Sequence, residues 1–125
     1  MKKVLVVGSL NMDMVLSVDH HPVPGETIIG DGITYHPGGK GANQAYAVGK
    51  LGGDVRIIGC VGWDNNGMIL TENLAQAGVD TTAINRMPET PTGMAIIDVD
   101  KKGDNSIIVI SGANACLTPD LLRKQ

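Results

Sequence analysis

Three observations predict an α/β fold with both parallel and antiparallel strands. Short β-branched apolar runs at Val4 to Val7 and Val55 to Cys60 have the pattern of parallel strands covered on both faces. Each is followed, at some distance, by a stretch of helix formers that stops at glycine. Beyond Thr82 the character changes to strand candidates joined by turn residues.

Val4 to Val7 ends at Gly8 and is predicted to be a central strand. Met14 to Val18 and Thr27 to Tyr35, separated by Pro22, Pro24 and Gly25, alternate partially and read as paired strands with one solvated face. After Pro37, Gly38-Gly39-Lys40-Gly41 feeds a helix over 42–51, with Ala42, Ala45, Val48 and Leu51 apolar and Gly52-Gly53 as its stop. Val55 to Cys60 is the next buried strand. Asp64-Asn65-Asn66 then offers capping groups to a helix carrying Ile69, Leu70, Leu74 and Ala77, ended by Gly78. Thr82 to Met87, Thr92 to Val99 and Asn105 to Ile110 are strand candidates, the last two joined through Asp100-Lys101-Lys102-Gly103-Asp104. Thr118-Pro119-Asp120 starts a final helix that reaches Gln125 within a few residues. Such a stub and only two full helices cannot cover a sheet on both faces, so the chain is expected to be the N-terminal part of a larger fold.

The 125 residues suit one core. A hydrophobic share of 42% with 18% charged residues argues against disorder, and no apolar run approaches a membrane span. The net charge of −3 gives no electrostatic footprint for nucleic acid or anionic lipid. With one Trp, two Tyr and no Phe, base-stacking platforms are not expected, and Trp63 is expected to pack. Cys60 and Cys116 lack CxxC spacing and a neighbouring His pair, and read as small apolar residues. Lys2 and Lys3 precede only a short apolar strand, not a signal peptide. A reduced, cytoplasmic protein with no metal site is the expectation, with His20, His21 and His36 in surface or packing roles.

Two constellations could carry chemistry. Asn11 and Asp13 follow the first strand at its carboxyl end, where open α/β sheets place ligands. Alternation puts both on one side, and a carboxylate with an amide suits adjacent hydroxyls of a polyol; an Asx turn leaving a strand is the other reading. Gly38-Gly39-Lys40-Gly41-Ala42-Asn43-Gln44 lets backbone N–H groups approach an oxygen-rich ligand at a helix start. A glycine-rich helix entry without ligand remains its alternative. A P-loop aligned on Gly39-Lys40 fails at Thr34 and Gly41, and no GxGxxG follows the first strand.

Gly8-Ser9-Leu10-Asn11-Met12-Asp13, Pro24-Gly25-Glu26-Thr27 and Gly38-Gly39-Lys40-Gly41-Ala42-Asn43-Gln44-Ala45 together resemble the PfkB family of carbohydrate kinases, in its ribokinase-like branch. Gly52, Gly62, Thr92-Gly93 and Gly112-Ala113-Asn114 extend the resemblance over nearly the whole chain. It implies a ribokinase-like αβα sandwich with a small β-sheet lid, here truncated: residues 1–125 would be its N-terminal part, lid strands at about 14–36 and 92–110 being inserted in the α/β core. By resemblance, Asn11, Asp13, Gly38, Gly39, Lys40, Gly41 and Asn43 bind the sugar, and Ala95 and Ile97 close over it. The implied reaction transfers the ATP γ-phosphate to the 5-hydroxyl of D-ribose, with Mg²⁺ and a monovalent cation such as K⁺. The family's catalytic Asp and nucleotide site have no counterpart before Gln125, so no catalytic residue is expected in this chain and it should be inactive alone. A fructokinase, deoxyribose kinase or nucleoside kinase is the alternative within the family, and a non-catalytic sugar-binding or dimerising fragment the alternative outside it. Apolar lid positions Ile28, Ile33, Ile96 and Ile108 suggest a homodimer joined through the lids.

Overall fold

The computed structural model describes residues 2–125. Strands β1 (Lys3–Val7), β4 (Asp54–Gly62) and β5 (Ile84–Met87) form a parallel sheet in the order β1-β4-β5. A second, mixed sheet has the order β3-β2-β6-β7, from β2 (Asn11–Ser17), β3 (Gly32–Gly38), β6 (Gly93–Val99) and β7 (Asn105–Ile110). Helices α1 (Lys40–Lys50) and α2 (Asn65–Gln76) follow β3 and β4, and a 3-10 turn, Gly112–Cys116, precedes the short α3 (Pro119–Arg123).

The core forms where one face of the parallel sheet meets the two long helices. Val55, Ile57 and Val61 alternate along β4 and pack with Val6 of β1, Ala42 and Ala45 of α1, and Leu70 and Leu74 of α2. Leu10 and Met12 join the same cluster, so the start of β2, and with it the second sheet (the lid sheet below), is anchored in it. At roughly 25 cal/mol per Å² of apolar area, this burial is what holds the helices to the sheet.

Within this chain the first strand is neither central nor buried on both faces, as the sequence pattern had suggested for it. β1 lies at the edge of the three-stranded sheet, with β4 in the centre. Val6 is buried, but Leu5 and Val7, which alternate to the opposite face, are 59% and 47% exposed. An apolar run reports that both faces are apolar, and not which of them is covered.

Three boundaries also move. β2 begins at Asn11, three residues before the predicted start, because it pairs there with both Gly38 and Gly93. β3 starts at Gly32, since β2 ends opposite it at Ser17 and residues 27–30 have no strand to pair with. Ile28 therefore lies outside the lid strands. β5 starts at Ile84 because the Asp80 carboxylate takes the Thr82 N–H and hydroxyl, at 2.9 and 2.6 Å, into a turn. Trp63 is a surface residue, not a packed one: it is exposed, with the Arg86 guanidinium 4.1 Å from the ring centroid and its Nε1–H donating to the Arg86 carbonyl.

A buried polar knot joins the lid to the core. Asp64 caps α2 by accepting from the Gly67 N–H at 2.8 Å. The same carboxylate accepts from the Thr92 N–H at 2.9 Å and the Thr92 hydroxyl at 2.5 Å, while that hydroxyl accepts from the Gly62 N–H at 2.9 Å. Burial works against the charge on Asp64, but these donors and the Arg86 cation hold its carboxyl below the usual range. Thr92 is 2% exposed, immediately before β6, and among the described residues no buried side-chain nitrogen or oxygen lacks a partner. At the far end of the lid, Lys101 pairs with Asp19, and His21 stands 3.5 Å from Asp100, tying the β6–β7 turn to the segment after β2. No helix among the described residues is long and apolar enough to cross a membrane.

Candidate functional site

The lid sheet's ladders decide which side chains share a face. Asn11 pairs with Gly38 and Gly93, Asp13 with His36 and Ala95, and Val15 with Thr34 and Ile97. Directly paired residues point to the same side of a sheet. Asn11, Asp13, Ala95 and Ile97 therefore lie on one face, next to Gly38 and His36.

Asn11 is clamped by a residue that sequence reasoning did not place in the site. Asn114, in the 3-10 turn, donates from Nδ2 to Asn11 Oδ1 at 2.7 Å and to the Leu10 carbonyl at 3.1 Å. Its Oδ1 accepts from the Leu10 N–H at 3.0 Å. The Asn11 oxygen is engaged by Asn114, and the Asn11 Nδ2 hydrogens take no part in this clamp. The Gly112-Ala113-Asn114 motif was the available signal; its contact spans more than a hundred residues of sequence and only folding reveals it.

The Asp13 carboxylate folds over Gly38, where an added Cβ would collide with its oxygens. Burial raises the Asp13 carboxyl above its usual value, and the charge of His36 works against that rise. His36, expected in a surface or packing role, is thus the cross-strand neighbour of the acid, and its Nε2 lies 3.0 Å from Thr34 Oγ1.

The glycine loop turns β3 into α1. Gly39 has φ +97°, a left-handed conformation open to glycine, and a Cβ there would stand 2.6 Å from the Ser9 carbonyl. Gly41 lies against Gly8 so closely that a Cβ would meet the Gly8 carbonyl carbon at 2.7 Å. The loop is thus pressed onto the chain between β1 and β2, and the Ala42 N–H donates to the Ser9 carbonyl at 3.0 Å. The start of α1 is brought beside Asn11 as a result.

Lys40 and Asn43 are exposed on the first turn of α1. Asn43 lines a groove of about 290 Å³ between α1, α2 and the end of β3, together with His36, Pro37, Tyr46 and Asn73. Asn11 and Asp13 do not line it, so the sequence-derived residues divide between the sheet face and this groove, with His36 adjoining both. Cys60 is buried, which pushes its thiol up.

The pairing of a helix-covered parallel sheet with a lid sheet and a glycine loop at their junction is the architecture of ribokinase-like kinases. Arabidopsis thaliana ribokinase, solved in complex with ribose and ATP, matches this chain with a TM-score of 0.83 at 36% identity, over 89% of this chain and 36% of that one. A model of the pfkB family of carbohydrate kinases matches residues 1–125, and the chain belongs to that family. It is 46% identical over 123 residues to ribokinase from Haemophilus influenzae, covering 98% of this chain and 40% of the relative. Against ribokinase from Bacillus subtilis it is 44% identical over 119 residues, covering 95% and 40%. The chain thus spans about two-fifths of the length of these curated relatives.

Proposed function

We propose that this chain is the sugar-binding part of an ATP-dependent kinase that phosphorylates D-ribose on its 5-hydroxyl. The observation that carries this is the shared face of Asn11, Asp13, Ala95 and Ile97 beside a glycine loop, in a chain this similar to ribokinases. In this role the Asp13 carboxylate accepts hydrogen bonds from two adjacent sugar hydroxyls, and the free Asn11 amide hydrogens donate to a third oxygen. Gly38, Gly39 and Gly41 bring backbone close to the sugar, while Lys40 and Asn43 add donors from α1. Ala95 and Ile97 exclude water from the apolar side of the ring. Catalysis of phosphoryl transfer is largely positioning and charge stabilisation, and these residues supply the positioning.

Asp13 binds and does not act as the base: it is committed to the sugar notch, and a general base must reach the transferred proton. Magnesium and potassium belong to the whole reaction. Among the described residues no group of three His, Cys, Asp or Glu could hold a metal ion. The working compartment is the cytoplasm.

Ribose-dependent ADP release is expected from the whole kinase and absent from residues 1–125 assayed alone, free of contaminating kinase. Sustained sugar-dependent release by the 125 residues would overturn the division of labour. A whole protein that ignores ribose would overturn the substrate.

The lid supports a homodimer. Ile33, Tyr35, Ile108 and Ile110 share the sheet face opposite the sugar residues and are 47–63% exposed. Such a patch is costly in water unless covered. A whole protein sedimenting as a dimer at micromolar concentration, and as a monomer once Ile108→Glu is introduced, is the expected result.

A further inference from the structure

We propose that His36, placed directly beside Asp13, is a positioning residue that sets the acid limit of sugar binding. The inference rests on the sugar role proposed above for Asp13. His36 and Asp13 are direct cross-strand partners on β3 and β2, with side chains on one face. Two residues along the same face, Gly38 leaves the notch over which the carboxylate folds. The acid is therefore bracketed on β3 by a glycine and an imidazole. The ring is steadied by the Thr34 hydroxyl, 3.0 Å from Nε2 and next along that face.

The remaining surroundings of the pair include one other cation, Lys40, but the charge that acts on Asp13 is that of His36. On its other ladder Asp13 faces Ala95. From α1 come Lys40, exposed at the first helical position, and the Tyr46 phenol, which lines the groove with His36. From α2 the groove receives neutral Asn73.

Two influences oppose each other at Asp13: burial favours the neutral acid, and the His36 charge favours the carboxylate. A charged acceptor makes hydrogen bonds to sugar hydroxyls about twice as strong as a neutral one, so protonation of Asp13 weakens binding. Removing the cation leaves burial unopposed. The Asp13 carboxyl then titrates at higher pH, and binding fails earlier on acidification.

The test compares wild type, His36→Asn and His36→Arg in the whole protein. Asp13 is followed by carboxyl-carbon NMR without sugar, and D-ribose binding by calorimetry from pH 4 to 8. Expected is an upward move of both the Asp13 titration and the acid limb of binding in His36→Asn, with both returned toward wild type in His36→Arg. Because His36 is exposed, neither variant disturbs the core. An Asp13 titration indifferent to His36→Asn overturns the inference, as does a titration that moves while the acid limb of ribose binding stays. Failure of the wild type to bind ribose at any pH overturns the proposed substrate instead.

Discussion

Replacing Asp13 by Ala is expected to lower kcat/KM for ribose by roughly thirty- to a thousand-fold, corresponding to about 2–4 kcal/mol of transition-state binding, with KM for ATP nearly unchanged. The size follows from what remains behind. Sugar hydroxyls enclosed between the glycine loop and the lid face would lose a charged acceptor and gain no water in its place, which costs more than the net value of a hydrogen bond made in solvent. The space over Gly38 that the Asp13 carboxylate fills would be left without a side chain, since glycine supplies none. Steady-state kinetics with ribose varied at saturating ATP checks this. Wild-type kcat/KM in the variant would sink the role assigned to Asp13.

The second large effect is expected from Gly41→Ala, a change that helix propensity alone would favour by about 1 kcal/mol. The added methyl would meet the Gly8 carbonyl carbon at 2.7 Å, and the Gly8 Cα and Ser9 N at 2.8 Å each. All three are backbone, so relief requires α1 to move away from the chain between β1 and β2. Overpacking of this kind costs typically 1–3 kcal/mol, and occasionally more, when side chains can adjust. With backbone on both sides, a net loss of about 2 kcal/mol or more is expected, visible as a lower urea midpoint in the whole protein. Sugar affinity should fall with it, since the same movement displaces Gly39 and Lys40. Gly32→Ala is the control: nothing lies within 4 Å of a Cβ there, and an edge-strand alanine should leave the midpoint unchanged. Equal midpoints for Gly41→Ala and Gly32→Ala would mean that the loop is not pressed onto β1 and β2 as described.

Both predictions concern residues visible in the sequence, but for reasons visible only in part. The glycine loop was readable because glycine and helix formers in that order have few other uses, and both long helices lie within two residues of their predicted spans. The strand boundaries around the site were less readable. Whether Asn11 and Asp13 lie in a turn or a strand depends on partners at Gly38 and Gly93, tens of residues away. His36, the cross-strand partner of Asp13, carries no motif at all. Its place beside the acid follows from a register, and a shift of one residue would have sent it to the opposite face.

Local chemistry and periodicity therefore determined the α/β class, the order of strands and helices, the stops at glycine, and the residue types fit to hold a polyol. Those properties depend on backbone preferences and on alternation within a few residues, which a linear chain displays. Tertiary structure alone decided that β4 stands between β1 and β5 in this chain, that Asn114 clamps Asn11, and that the Thr92–Asp64 knot ties the lid to the core. Those outcomes depend on long-range pairing and on which apolar face receives a helix, and neither is written in any local stretch of residues.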